Sequence, residues 1–340
     1  MGFKRYNNDL ITEDMKQLLR DTYTGPGKHV MQTMESKTIL AAALGEILRK
    51  GNFWGDIASD IFQSFNFTPG QSIEYPLDPI APGTEKDFVA MSVPKVGAIP
   101  NKNIEGDYLQ MPTFLVGNGI EWSEKYARDA RWDVVSRGME ILEAGFVKKF
   151  NDDAWHLILS AGLDRNIVIY NSDMPIGQFS KRLVSLMQTV MRRNGGGNST
   201  SINRFKMTDL YVSPEAIQDI RNWGIDQIPD SVRAQYYTQK AGTISDIFGT
   251  DFHDLDELGE GQEYQLFYLN DLAGVLAPST AELVVGLDLE TVPAFKNPVV
   301  EGITIHPDIM VSRARKQGYW AEREYGLGIT DNRPIILGSF

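Results

Sequence analysis

The chain has 340 residues, is 42% hydrophobic and 23% charged, and carries a formal net charge of −12 with no cysteine. Such a chain can bury a real core in about two domains, so composition excludes intrinsic disorder. The missing cysteines exclude disulfides, thiolate nucleophiles and cysteine-based zinc sites. The acidic balance excludes a surface built throughout to grip phosphates, and its ordinary meaning is solubility.

Residues 1–65 read as an N-terminal arm with short helices. MGFKRYNNDLITEDM has no apolar run of the signal-peptide kind, and Tyr6 stands where a myristoylated Gly2 would need Ser or Thr. Thr33 to Lys50 is rich in Ala, Leu and Met and is stopped by Gly51-Asn52. ILAAALGEIL at 39–48 is the most apolar stretch, but it is short and holds Glu46, too little to cross a bilayer. The expectation is a soluble protein with no membrane partner.

Residues 66–112 differ in kind. They hold seven of the sixteen prolines, Pro69, Pro76, Pro79, Pro82, Pro94, Pro100 and Pro112. Proline lacks the N–H and fixes φ, so no long helix fits here. Between the prolines lie strand-like pieces, SIEYPL, DFVAMSV and YLQMPTFLV. Phe88, Val89, Met91, Val93, Val96 and Ile99 make the segment too apolar for a solvated linker. It reads as a stiffened excursion that needs a surface to lie on.

Residues 123–159 predict a long helix. Ser123 is its candidate cap, with Glu124 in the first turn. Val135, Met139, Leu142, Phe146, Phe150, Ala154 and Leu157 recur in steps of three and four. The run spans ~55 Å at ~1.5 Å per residue. Trp132, Ile141, Val147, Trp155 and Ile158 fall off that stripe, so more than one side is covered. Gly138 and Gly145 read as places where the helix bends.

Residues 166–294 alternate strands and helices. IVIY (167–170) predicts a strand, and KRLVSLMQTVMRRN (181–194) an amphipathic helix ended by Gly195-Gly196-Gly197. DLYVSPEAIQDIRNWG (209–224) predicts a strand running into a helix, with Ser213 as N-cap, Pro214 at N1, Glu215 next and Gly224 closing it. EYQLFYLN (263–270) reads as a further strand. From about Val299 strands return: GITIHPDIMVSRARK, GYWAEREYGLGI, then PIILGSF. In 319–329, Tyr319, Ala321, Arg323, Tyr325, Leu327 and Ile329 face one way, and Trp320, Glu322 and Glu324 the other. There is no internal repeat.

Motifs that could carry chemistry are thin. GPGK at 25–28 is too short for a phosphate loop, and His29 follows its lysine, so it reads as a turn. DFHDLDELGEGQE (251–263) clusters Asp251, His253, Asp254, Asp256, Glu257 and Glu260. With Asp254 first in a calcium-loop template, Gly259 is sixth, but Leu258 is fifth and Gln265 twelfth, so a solvated acidic loop is expected. His29, His156, His253 and His306 have no metal-ligand spacing. Ser213 lies in S-P-E-A rather than a nucleophile elbow. Asn198-Ser199-Thr200 is a sequon that matters only on secretion. Arg192-Arg193 and Arg313-x-Arg315-Lys316 read as paired surface charge. No catalytic, cofactor or metal residue is assigned, and the chain is not expected to be an enzyme.

The order of parts is more informative than any motif. MPTFLVGNGIEWSEKYARDARWDVV (111–135), DLYVSPEAIQDIRNW (209–223) and IMVSRARKQGYWAEREYGLGITDNRPIILGSF (309–340) fit a strand entering a spine helix, an axial strand–helix and a set of closing strands. Over nearly its whole length the chain resembles the major capsid proteins of tailed double-stranded DNA bacteriophages, the Hong Kong 97-type fold. The resemblance implies an α+β subunit: an N-terminal arm at 1–65, an extended β-hairpin loop (E-loop) at 66–112, a peripheral domain at 113–165 and 295–330 holding the spine helix 123–159, and an α/β axial domain at 166–294 and 331–340.

It also implies a structural virion protein. Such a subunit assembles in the host bacterial cytoplasm into hexamers and pentamers of an icosahedral head enclosing DNA, with weak non-specific contact to the packaged genome. A separate scaffold protein or an already trimmed chain, a portal and, as an optional layer, decoration proteins follow as what the resemblance implies. Inter-subunit contact candidates are Lys86, Phe88, Val89, Met91, Lys95 and Lys102 in the loop, and Arg192, Arg193 and Trp223 in the axial domain. No cross-linking signature is readable around the loop lysines. The alternatives are an encapsulin-type nanocompartment shell on the same fold and, further off, an α/β enzyme using the acidic residues at 251–260.

Overall fold

A computed structural model of the chain describes residues 55–77, 107–123, 132–172, 175–195, 204–223, 243–244, 249–276, 281–308 and 316–340. The helix expected at 33–50, the loop candidates Lys86, Phe88, Val89, Met91, Lys95 and Lys102, and Arg313 and Arg315 lie outside the described residues.

In chain order, a short helix α1 (Ala58–Ile61) leads into β1 (Gln63–Asn66), β2 (Glu74–Pro76), β3 (Tyr108–Gln110) and β4 (Phe114–Ser123). The long helix α2 (Trp132–Asp164) follows, then β5 (Val168–Tyr170), α3 (Lys181–Asn194), β6 (Asp209–Val212), α4 (Pro214–Asn222), β7 (Thr243–Ile244) and β8 (Asp251–Asp254). Helix α5 (Glu263–Leu266) continues as a π-helical turn (Phe267–Asp271). The chain closes with β9 (Leu283–Leu287), β10 (Phe295–Pro307), β11 (Lys316–Tyr325), β12 (Gly328–Ile329) and β13 (Ile335–Ser339).

These strands make two sheets and a ribbon. The five-stranded sheet runs β1-β10-β11-β4, with β12 also on β10. β11 and β4 pair antiparallel over all ten residues, from Lys316 opposite Ser123 to Tyr325 opposite Phe114. The six-stranded sheet runs β5-β13-β9-β6-β8-β7, with parallel pairs at β5/β13 and β6/β8. β2 and β3 form a separate antiparallel ribbon.

Helix α2 joins the sheets. Its 33 residues span ~50 Å at ~1.5 Å each. Its middle packs on β4 and its C-terminal part on β13. One apolar cluster therefore holds Phe295 and Tyr325 from one sheet, Val285 and Leu337 from the other, and Phe150, Trp155 and Ile158 of the helix between them. Gly138 and Gly145 lie within the continuous helix and against β4. A Cβ at Gly138 would lie 3.2 Å from Ile120 Cδ1, and one at Gly145 would lie 2.7 Å from Asn118 Nδ2. They admit β4, and the Asn118 amide also donates to the Leu142 carbonyl at 3.4 Å. Gly162 does the same for β13, where Leu337 would crowd a Cβ at 3.0 Å.

Several expectations need correcting. Ser123 does not cap α2; it ends β4, and the helix is described from Trp132 to Asp164 rather than 123–159. The segment 263–270 is helical, not a strand. Its aromatic content favours strands, but Tyr264 and Tyr268 are four apart and both buried, so a helical face serves the core. The Gln265 amide fixes that choice. It donates to the Ala281 carbonyl (3.2 Å) and accepts from the Leu283 amide (3.3 Å). Asp251–Asp254 is a strand rather than part of a loop, held parallel to β6 with Phe252 buried.

Other local readings coincide with the structure. Helix α3 has the expected bounds, with Ser180 accepting from the Leu183 amide. Ser213 accepts from Ala216 N at 3.2 Å, with Pro214 at the first helical position. Tyr319, Ala321 and Tyr325 are buried while Trp320 is exposed.

Candidate assembly surfaces

Among the described residues, the side chains that could carry chemistry sit in packing contacts, while GPGK and His29 lie outside the described residues. His253 Nε2 lies 2.8 Å from Asp209 Oδ1, and its ring stacks on Tyr211. The hydrogen bond to Asp209 raises the His253 pKa against the opposing effect of burial. His156 stacks on Phe267 at 3.8 Å, and His306 stacks on Trp320 at 4.4 Å beside Glu322. The Ser213 hydroxyl donates to Glu282 while accepting from the helix α4 amide. That is capping geometry, and no imidazole stands in this pair to activate the hydroxyl. Burial, with Glu215, Asp219 and Glu260 nearby, raises the Glu282 pKa. Among the described residues no group of three or more His, Asp or Glu could hold a metal ion. No described helix is long and apolar enough to cross a membrane.

The polar groups at the centre of the chain are internal ties. Lys148 Nζ meets Asp152 at 2.7 Å and Glu263 at 2.9 Å, and Tyr264 donates to Asp152 at 2.9 Å. Burial lowers the Lys148 pKa, but the bonds to Asp152 and Glu263 outweigh it and leave the pKa raised. Asn151 accepts from the Ala58 amide (3.1 Å) and donates to the Gly55 carbonyl (2.8 Å), which fastens α1 to α2. Apart from the i,i+4 pair Lys148–Asp152, these ties link residues far apart in sequence, so no local pattern announced them.

The outer surface differs across the molecule. Strand pairing places Gly117, Gly119 and Leu115 of β4 on one face of the five-stranded sheet with Glu322, Trp320 and Glu324 of β11. Leu115 is 62% exposed and Trp320 39% exposed there. Lys316 and Glu121 form an ion pair at the end of the same face. On α3, Arg192 and Arg193 are exposed in the last turn. Trp223 is 6% exposed, stacks on Phe179 and donates its indole N–H to the Phe179 carbonyl at 3.0 Å, so its ring belongs to the subunit's own core.

No family model and no curated protein matches the chain. Solved structures do. The cyanophage Pam1 capsid asymmetric unit is similar over 82% of this chain and 88% of that chain, with a TM-score of 0.55 at 11% identity. The head structure of Helicobacter pylori bacteriophage KHP40 is similar over 85% and 92%, with a TM-score of 0.56 at 10% identity. A structure from Microbacterium phage Oxtober96 covers 86% and 92%, with a TM-score of 0.57 at 10% identity. Two sheets bridged by a long helix, with a separate two-stranded ribbon, agree with these matches and place this chain in the α+β fold of phage capsid and head structures.

Proposed function

We propose that this chain is the major subunit of a bacteriophage head, a structural protein that closes an icosahedral shell of its own copies around double-stranded DNA. The observation that carries the reading is the fold shared with the Pam1 capsid and KHP40 head structures over more than four-fifths of the chain. The architecture suits the role. A shell is built from repeated contacts between thin plates, and the ~50 Å helix α2 stiffens such a plate along both sheets.

On this reading the subunit follows the Hong Kong 97-type plan. Residues 113–165 and 295–330 form the peripheral domain, 166–294 and 331–340 the axial domain, and 66–112 the loop that lies on a neighbour. Lys86, Phe88, Val89, Met91, Lys95 and Lys102 are the loop's contact candidates, and Arg192 and Arg193 those of the axial domain. Hexamers and pentamers assemble in the bacterial cytoplasm with scaffold and portal proteins and, as an optional layer, decoration proteins. The net charge of −12 limits adhesion of the packaged genome to the wall. The role needs no catalysis.

Purification of the expressed chain by size exclusion with light scattering, followed by negative-stain microscopy, tests the proposal. Capsomers or megadalton shells are expected. A small monodisperse oligomer under all conditions would overturn it, and shells from the native source that hold a cargo enzyme and no DNA would replace it with a nanocompartment. Removing residues 80–105 should leave a folded subunit that cannot close shells.

A further inference from the structure

The root of the β2–β3 ribbon rests on one small patch of the five-stranded sheet. There Lys296 of β10 pairs with Gly328 of β12 on one side and with Gln63 of β1 on the other. Residues paired across a sheet share a face, as do alternate residues along a strand. Lys296, Gly328 and Phe65 therefore point to the same side.

Both legs of the ribbon land on that patch. On the incoming leg, Tyr75 meets Phe65 edge-on at 5.9 Å and Phe67 at 6.3 Å. On the outgoing leg, Met111 packs against Gly328 so closely that a Cβ there would have no room. The next residue, Pro112, puts its carbonyl 2.5 Å from where a Cβ on Gly326 would lie. Beside the incoming leg, Lys296 Nζ stands 4.7 Å from the Phe65 centroid and 5.9 Å from that of Tyr75. Among the described residues no carboxylate pairs with this lysine, and burial lowers its pKa. Its charge has ring faces as its partners.

We infer that Lys296 is a positioning residue whose ammonium clasps Phe65 of the sheet to Tyr75 of the ribbon and so fixes the direction in which β2–β3 leaves the subunit. A two-stranded ribbon is too small to hold an angle by itself. A cation shared by two rings does hold one, because moving either ring off the charge forfeits the attraction of its π face. The consequence for assembly rests on the shell reading above: repeated contacts close a shell only if each projects at a fixed angle.

The absence of cysteine permits clean spin labelling of the full chain. Labels at Tyr108→Cys on β3, where the residue is 64% exposed, and at Ile303→Cys on β10 report the ribbon-to-sheet distance by pulsed electron resonance. The labelled subunit and its Lys296→Arg form should give one narrow distance, since guanidinium also binds ring faces. Lys296→Met keeps the apolar stem and removes the charge. It should raise the population of displaced distances roughly two- to fivefold with little change in melting temperature. An unchanged distance distribution in Lys296→Met overturns the clasp; if that variant unfolds, the same measurement on Tyr75→Leu decides. In assembly, Lys296→Met should give particles of mixed size where the unsubstituted chain gives uniform shells, and uniform shells from Lys296→Met would overturn that consequence. Failure of the unsubstituted chain to assemble bears on the shell reading alone, because the distances are read on the subunit.

Discussion

In the six-stranded sheet all five residues of β9 and all five of β13 are buried, whereas β4 in the five-stranded sheet buries only Trp122 among its ten. Both sheets pack on the same helix. The difference is what covers the second face. Helices α3 and α4 seat a second apolar cluster, including Leu183, Met187, Ile217 and Ile336, behind the six-stranded sheet. The described face of β4 and β11 instead presents Leu115, Trp320 and two glycines. A sheet buried on both sides is completed by its own chain, while one that leaves Leu115 and Trp320 exposed among Glu322 and Glu324 is suited to a further surface. On the proposed shell reading, the first region keeps the subunit folded and the second is the one offered to neighbours.

The largest test of that contrast compares two tryptophans. Trp155 is 0% exposed, wedged against Tyr211 and stacked on Tyr264. Trp155→Ala should cost about 3–5 kcal/mol in denaturant unfolding of the subunit. Trp320→Ala should cost under about 1 kcal/mol in the same assay. Comparable losses would erase the distinction between the regions.

A smaller effect separates the helix glycines. Gly162→Ala drives a methyl onto the buried Leu337 side chain and should destabilise by about 1–3 kcal/mol. Gly145→Ala meets only the end of the exposed Asn118 side chain. Its gain in helix propensity, up to about 1 kcal/mol, should offset the clash. Thermal unfolding of the two variants side by side checks the order, and a larger loss at Gly145 would mean that β4 is held as rigidly as β13.

Ser213→Ala removes the cap of α4 and should cost about 1 kcal/mol, read as a shifted denaturant midpoint with an unchanged slope.

The smallest effect is on pH. His253 has a raised folded-state pKa, chiefly through its bond to Asp209, so folding favours the protonated ring. Its contribution is complete below the unfolded value of 6.5 and is lost as the pH rises through the folded value. The stability gap between the unsubstituted chain and His253→Gln should therefore narrow as pH rises from about 6 to 8, in calorimetry of the subunit. Glu282, raised by burial, works in the same direction at lower pH: ionising it above its unfolded value of 4.5 costs more folded than unfolded. A gap that widens with pH would show that the Asp209 contact does not favour the charged ring.

The candidate surface was legible only in part. The strand alternation of 319–325 put Trp320 outward and Tyr319, Ala321 and Tyr325 inward, because a pleated strand alternates whatever it pairs with. The same kind of reasoning could not tell that Trp223 is covered by Phe179, or that Lys296 sits between Phe65 and Tyr75. Nothing within a few residues of either position records those partners.

By itself the sequence determined the elements whose free energy is local: the amphipathic helix at 181–194, the Ser213-Pro214 start of α4, the alternation that begins at Tyr319 and a closing strand within PIILGSF. Caps, side-chain periodicity and proline geometry act between residues at most four apart, so they are written in the order of the chain. Only the tertiary structure decided that 263–271 winds into helix, that acidic 251–254 becomes a strand, and why α2 carries glycines. In each case the deciding contact is supplied from elsewhere, as when Leu337 of β13 packs against Gly162 of α2. Burial against such distant partners outweighs intrinsic preference, and it exists only once the chain has folded.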